Sequence, residues 1–156
     1  MSEQNVHIRG VPTAKQREFF ASRAKYTAYG GARGGGKSWA LRRKLVALCL
    51  RYPGIHCLLL RRTREELKSN HIYPMLHEYG ALMRWQEGDH AFLLDNGSRI
   101  DAGYCACERD LLRYQGQEYD IIAVLLCVTD GSLGDLDGIL LTHLEDGDTQ
   151  LSANDL

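Results

Sequence analysis

Eight consecutive positions, Gly31 to Ser38, fit the pattern G-x-x-x-x-G-K-[ST]. The residue types divide the work of holding a polyphosphate. Glycines let backbone amides approach an anion with no Cβ in the way, a lysine after the last glycine reaches the outer phosphates, and the next hydroxyl ligates Mg²⁺. The candidate binding residues are therefore Gly31, Ala32, Arg33, Gly34, Gly35, Gly36, Lys37 and Ser38. The alternative is a glycine-rich turn that holds no ligand.

Such a loop works only where a strand passes into a helix, because there the unpaired amides and the positive end of the helix dipole face one point. Lys25 to Tyr29 reads as a short strand and Lys37 to Leu50 as a helix, so the flanks agree. Upstream, Thr13 followed by Gln16 fits a capping box and predicts a helix over about Ala14 to Ser22. Gln16 thus has two readings. It caps that helix, or its amide, both donor and acceptor, meets the edge of an adenine. Within the loop helix, Arg42, Arg43 and Lys44 are expected on a solvated face.

After the turn Arg51-Tyr52-Pro53-Gly54, the apolar run Ile55 to Leu60 reads as a buried strand that closes a βαβ unit. Thr63 and Glu66 form a second capping box, opening a helix that Pro74 kinks and Gly80 ends. His90 to Leu94 and Ser98 to Tyr104 flank Asp95-Asn96-Gly97, a hairpin signal expected to be an insertion. Glu108 to Tyr114 suggests one or two helical turns, and Ile121 to Val124 begins another buried strand.

The 156 residues, 44% hydrophobic and 25% charged, suit one globular domain. No apolar run is long enough to span a bilayer and no signal-peptide pattern opens the chain, so an intracellular protein is expected. Five cysteines in no framework spacing read as reduced thiols, and the histidines are too scattered for a metal site. The net charge of −1 hides a division: residues 1–124 carry all 19 Lys and Arg, whereas residues 125–156 carry seven acids and no base. A basic body suits a polyanionic partner such as nucleic acid or nucleotide.

Several segments together resemble a known family. Pro12-Thr13-x-x-Gln16, Tyr29 to Ser38, Leu60-Arg61-Arg62-Thr63, Asn96-Gly97-Ser98-x-Ile100 and Tyr114-Gln115-Gly116-x-x-Tyr119-Asp120-Ile121-Ile122-Ala123-Val124 look like the N-terminal ATPase half of the large terminase subunit of tailed bacteriophages. The resemblance implies an α/β fold of the P-loop NTPase type: a parallel sheet flanked by helices, here incomplete at its C-terminus and carrying the hairpin insertion. It divides the chain into a leader (1–11), a partial ATPase domain (12–124) and a divergent acidic tail (125–156).

The implied activity is ATP hydrolysis by a motor that threads double-stranded DNA into a capsid, in the host cytoplasm, with portal protein and the small terminase subunit as partners. The resemblance also assigns roles. Gln16 would contact adenine, Gly31 to Gly36 would hold the phosphates, Lys37 would neutralise the β- and γ-phosphates, and Ser38 would ligate Mg²⁺. Arg33 would donate charge to the transferring phosphoryl group or contact a phosphate only in the ground state.

The departure is equally specific. Where the family places an aspartate for Mg²⁺ and a glutamate for the attacking water, this chain has Leu125 and Leu126. Asp130 is the nearest acid and a candidate displaced ligand. Hydrolysis is therefore expected to be impaired, which leaves a non-hydrolysing nucleotide-binding or interaction module as the alternative function. The family's nuclease domain is expected to have no counterpart, and the acids of the tail to lack a scaffold large enough to hold two metals, with residues from about Gly131 loosely ordered. A frame change near codon 125 and a natural short variant both account for such a tail.

Overall fold

The computed structural model describes residues 9–31, 34–128 and 136–143, with backbone alone for 126–128, 136–140 and 143. Helix α1 (Ala14–Ala21) starts as expected: the Thr13 side chain accepts from the Gln16 amide while Gln16 accepts from the Thr13 amide. Strand β1 (Tyr26–Gly31) follows, and its last glycine leads through the loop into helix α2 (Lys37–Arg51). Strand β2 (His56–Arg61) is the apolar run after the Pro-Gly turn.

Helix α3 (Arg64–Leu67) opens on the Thr63 cap and passes through a π-helical turn (Lys68–Ile72) into helix α4 (Tyr73–Tyr79), capped by Gly80. The distortion caused by Pro74 falls in the turn before it. Proline has no N–H to offer the carbonyl four residues back, and that carbonyl, of Asn70, accepts from Arg42 Nη1 at 2.7 Å. The turn buries His71, whose ring finds no hydrogen-bond partner among the described residues. Burial first, then the Arg42 and Arg61 guanidiniums, push His71 down to about 3.

The remaining strands are β3 (Met83–Gln86), β4 (Ala91–Leu94), β5 (Arg99–Tyr104), β6 (Ile121–Val128) and β7 (Leu136–His143), with a 3₁₀ segment (Glu108–Tyr114) before β6. They join one sheet in the order β1-β7-β6-β2-β5-β4-β3. The expected parallel sheet is in fact mixed. β2 is parallel to β5 and β6, but β7 is antiparallel to both β1 and β6, and β4 is antiparallel to both β3 and β5.

Two further expectations are corrected. The hairpin β4–β5 is no insertion, because β5 pairs along its whole length with β2 and extends the sheet to β3. Nor is the tail from about Gly131 loosely ordered throughout: after β6, which runs through Leu125 to Val128 without a break, residues Leu136–His143 form β7 between β6 and β1. An Ile139-Leu140-Leu141 run flanked by acids and glycine is held as a strand because it is hydrogen-bonded on both edges. That is tertiary context overriding weak local propensity.

Both helices α1 and α2 cover one face of the sheet. Phe19, Phe20, Leu41, Leu45 and Leu48 pack there against Tyr29, Leu59, Ala123, Leu125 and Leu141. On the opposite face Leu58, Leu60 and Tyr119 form a smaller cluster with Tyr114, Ile122 and Val124, and Tyr26 at the sheet edge is 65% exposed.

The expected solvated face of Arg42, Arg43 and Lys44 is the other correction. Arg42 is buried, pairing with Glu78 at 3.1 Å as well as with Asn70. Lys44 is 0% exposed and donates to the carbonyls of Phe19 (2.7 Å) and Ser22 (3.1 Å) at the end of α1. A long side chain with a charged tip can serve a neighbouring helix terminus as readily as solvent. Arg43 alone of the three is half-buried; it stacks on Trp39 and donates to the carbonyl of Arg9. Gly10, whose Cβ would lie 2.9 Å from Trp39, docks here as well, so the last leader residues rest on α2.

Candidate functional site

The loop from β1 to α2 is built by backbone conformations that glycine supplies. Gly34 (φ 79°) and Gly36 (φ 71°) both lie in the left-handed region, where other residues are strained. At Gly36 a Cβ would also come within 2.6 Å of Gln16 Nε2 and displace that amide. Gly36 is the N-cap of α2, has no side chain to offer the first amides, and is followed by a first turn without acidic residues. The N-terminal amides and dipole of a 15-residue helix are thus left facing the loop.

Lys37 begins the helix and is only 7% exposed, because Nζ turns back across the loop and donates to the Gly31 carbonyl at 3.0 Å. Ser38, the next residue, is half-buried in the first turn. Gly35 is exposed. Ala32 and Arg33 lie outside the described residues, as does Asp130.

Gln16 is tied to the loop from α1. Its Oε1 accepts from Thr13 N at 2.8 Å and its Nε2 donates to Gly36 O at 3.2 Å, so the amide braces the loop as well as capping the helix. Sequence reasoning found the cap but not the brace. It missed Lys15 altogether. That side chain donates to Gly30 O at 2.9 Å and lies 5.4 Å over the Tyr29 ring, adding a second ammonium beside the first glycines. The signal available was its place next to Gln16 in the capping box, which puts it on the same helical turn.

Opposite the loop, Leu125 is 5% exposed and packs in the α2-facing core, where it can neither ligate a metal nor orient water. Among the described residues no group of three or more His, Cys, Asp or Glu could hold a metal ion. The residues present nevertheless fit a nucleoside triphosphate with Mg²⁺ in part. Glycine-walled amides, Lys37 and the Ser38 hydroxyl are the donor set for a Mg-phosphate group, and the second-strand acid is the missing member. Asp137 of the tail lies in β7, in register with Gly31.

A second concavity, of about 240 Å³, lies between α3, β5 and the 3₁₀ segment and shares no residue with the loop. Tyr104 there is flanked by the guanidiniums of Arg64 (5.3 Å) and Arg113 (4.8 Å). Asp101 at its base is taken up by Arg99 and by His56 Nε2 at 2.8 Å.

The described cysteines are free thiols, with Cys49 and Cys57 buried at an Sγ–Sγ distance of 3.7 Å. No described helix is long and apolar enough to cross a membrane. Comparison with protein-family models, with curated proteins and with solved structures finds no match to this chain.

Proposed function

We propose that this chain binds Mg-ATP through Gly31 to Ser38, and that it corresponds to the N-terminal ATPase part of a phage DNA-packaging motor, a terminase large subunit with impaired hydrolysis. The observation that carries the reading is the β1–loop–α2 junction. Two left-handed glycines, an N-cap with no side chain and a lysine folded over the first glycine leave a cradle for anionic oxygens at a helix N-terminus. The basic body fits polyanionic partners, double-stranded DNA among them. Portal protein and small terminase subunit follow from the resemblance alone.

Calorimetric titration with Mg-ATP tests it. Lys37→Ala removes the cation facing the outer phosphates and should weaken binding by about 1.5–3 kcal/mol, the worth of a charged hydrogen bond. Equal affinity of both forms would refute the reading.

Leu125 supports a second reading, a module that holds nucleotide without turning it over. Loss of a positioned general base removes about 10²–10⁴ in rate, so turnover near background is expected. DNA-stimulated phosphate release by the unaltered chain would favour the motor; tight binding with no release would favour the module. Replacing Leu125 by Asp is a poor repair, because the carboxylate would enter the α2-facing core.

A further inference from the structure

We propose that the concavity between α3, β5 and the 3₁₀ segment binds a sugar phosphate, with Arg64, Lys68 and Arg113 taking the phosphate and the acids beside them taking the hydroxyls. The site has no residue in common with the loop, so it stands whether or not the loop holds ATP.

The sheet opens the space. Strand β2 pairs with β5 as far as Tyr104, whereas β4 pairs with it only from Arg99 to Asp101. Past Ala102, whose N–H donates to His90 O at 2.9 Å, no described strand lies beside β5 on that side, and α3 and the 3₁₀ segment wall the gap. One wall is latched. Tyr114 Oη donates to Tyr104 O at 3.1 Å and lies where a Cβ on Gly103 would collide with it, so glycine is what lets the ring sit so close to the strand. The resulting 240 Å³ are shaped before any ligand arrives.

Charge selects the ligand. The walls carry four cations, Arg64, Lys68, Arg99 and Arg113, and two carboxylates, Asp89 and Asp101. Arg99 serves both carboxylates, at 3.8 Å and 2.5 Å. Arg113 meets Asp110, outside the concavity, at 3.4 Å from a side chain that is 53% exposed; Arg64 and Lys68 have no acidic partner among the described residues. Arg64 and Lys68 are joined through the Lys68 N–H to Arg64 O bond, a four-residue spacing at which like charges repel. The guanidiniums of Arg64 and Arg113 in turn share the Tyr104 ring. Cations gathered in this way are best satisfied by one group with about two negative charges and three oxygens. A phosphomonoester is such a group, and guanidiniums take its oxygens two at a time.

The rest of the lining suits a hydroxylated body. The Asp101 side chain is 13% exposed and that of Asp89 48%, so carboxylate oxygens run from the interior to the mouth, with lone pairs beyond those that Arg99 engages. Gln117 accepts from Tyr119 Oη, which leaves its amide N–H groups for an incoming oxygen. Sugar hydroxyls, each both donor and acceptor, match that mixture. A free sugar phosphate and a nucleoside monophosphate offer the same chemistry to these residues.

Calorimetry on the full chain, with ribose 5-phosphate, AMP, inorganic phosphate and ribose as probes, tests the assignment. Ribose 5-phosphate should bind more tightly than inorganic phosphate, and ribose should give no signal. Tighter binding of AMP than of ribose 5-phosphate would identify the nucleotide as the source, and equal or weaker binding the free sugar phosphate. Arg64→Gln and Lys68→Gln should each weaken ribose 5-phosphate by about tenfold or more. Arg64 is exposed, so its replacement tests the site without disturbing the core. Arg62→Gln, which removes an exposed cation outside the concavity, and Lys37→Ala, in the loop, should leave this affinity unchanged.

A loss confined to Lys37→Ala would move the binding to the loop, and an equal loss in Arg62→Gln would reduce it to general charge. Ribose 5-phosphate held no more tightly than inorganic phosphate would leave an adventitious ion only. A single-stranded DNA oligonucleotide that binds more tightly than ribose 5-phosphate and loses affinity in the same variants would make the concavity part of a nucleic-acid groove. Each of these results overturns the sugar-phosphate site, and none of them bears on whether the loop binds Mg-ATP.

Discussion

At the C-terminal end of helix α2 the Cys49 carbonyl accepts from Asn96 Nδ2 at 2.7 Å and Ser98 Oγ at 3.0 Å; Ser98 also reaches Tyr52 O and accepts from Gly54 N. At the N-terminal end the cap is a glycine with nothing to donate or accept beyond its backbone. Both ends of any helix leave backbone groups without intrahelical partners. Here the chain saturates one end with a turn brought from the β4–β5 hairpin and leaves the other facing a loop of glycines. The difference separates architecture from site within one helix. It also gives Asn96-Gly97-Ser98 a task that a hairpin signal does not suggest: the turn is a clasp on α2.

The largest expected effect concerns the ammonium between these ends. Burial pulls Lys44 down to about 8 from 10.5. Unfolded Lys44 keeps its proton up to the higher value, so between the two the unfolded state binds more protons and stability rises with pH. The gain should total about 3 kcal/mol across that window, since one proton of difference is worth about 1.36 kcal/mol per pH unit. Chemical denaturation from pH 7 to 10.5, read as the difference between the unaltered chain and Lys44→Met, checks it and cancels the tyrosines that titrate nearby. A difference that stays flat with pH would mean that the ammonium is solvated and that α2 is not anchored to the end of α1 through it.

Next in size is the clasp. Ser98→Ala should cost about 2 kcal/mol, because buried carbonyl and amide groups lose a partner. Nucleotide affinity should stay unchanged, since Ser98 serves only the far end of the helix. Lys37→Ala should do the reverse, weakening binding while shifting stability little. Two variants with the same profile in both measurements would dissolve the contrast between the ends.

How much of this was legible depended on whether the cause was local. The Thr13 and Thr63 caps, the glycine loop, the apolar run of β2 and the Asp-Asn-Gly turn each carry their signal within a few residues, and each element formed where expected. What escaped was decided across the chain. Strand β3 is four residues long, Met83 to Gln86, and too short to show a period. The burial of Arg42 and Lys44 follows from carbonyls on other elements, at Asn70, Phe19 and Ser22, that no helical wheel displays. β7 exists because two edges were open to it, and the place of Asp137 beside the loop is a consequence of register. The chemistry proposed for the loop rests on eight consecutive residues, whereas Lys15 and the second bond of Gln16 depend on how α1 lies against β1 and α2.

The smallest effect, and the finest cut, lies at Gln16. Its two bonds, from the Thr13 amide and to the Gly36 carbonyl, make it a strut between the start of α1 and the N-cap of α2. Gln16→Ala should therefore lower stability by about 1 kcal/mol, the usual worth of a cap. Its effect on binding separates the two roles that the residue type allows. A strut sets the shape of the phosphate cradle and is blind to the base, so ATP, GTP and inorganic tripolyphosphate should all weaken alike. An amide that leaves Gly36 to read adenine would lose ATP selectively, because adenine and guanine present opposite donor and acceptor patterns to it. Gln16→Glu sharpens the distinction. It keeps an acceptor for Thr13 N but sets a carboxylate against the Gly36 carbonyl, so a strut should fail as badly as in the alanine variant. The geometry favours the strut, and equal losses for all three ligands are the expected outcome; a loss confined to ATP would move Gln16 from the frame of the site to its contact surface.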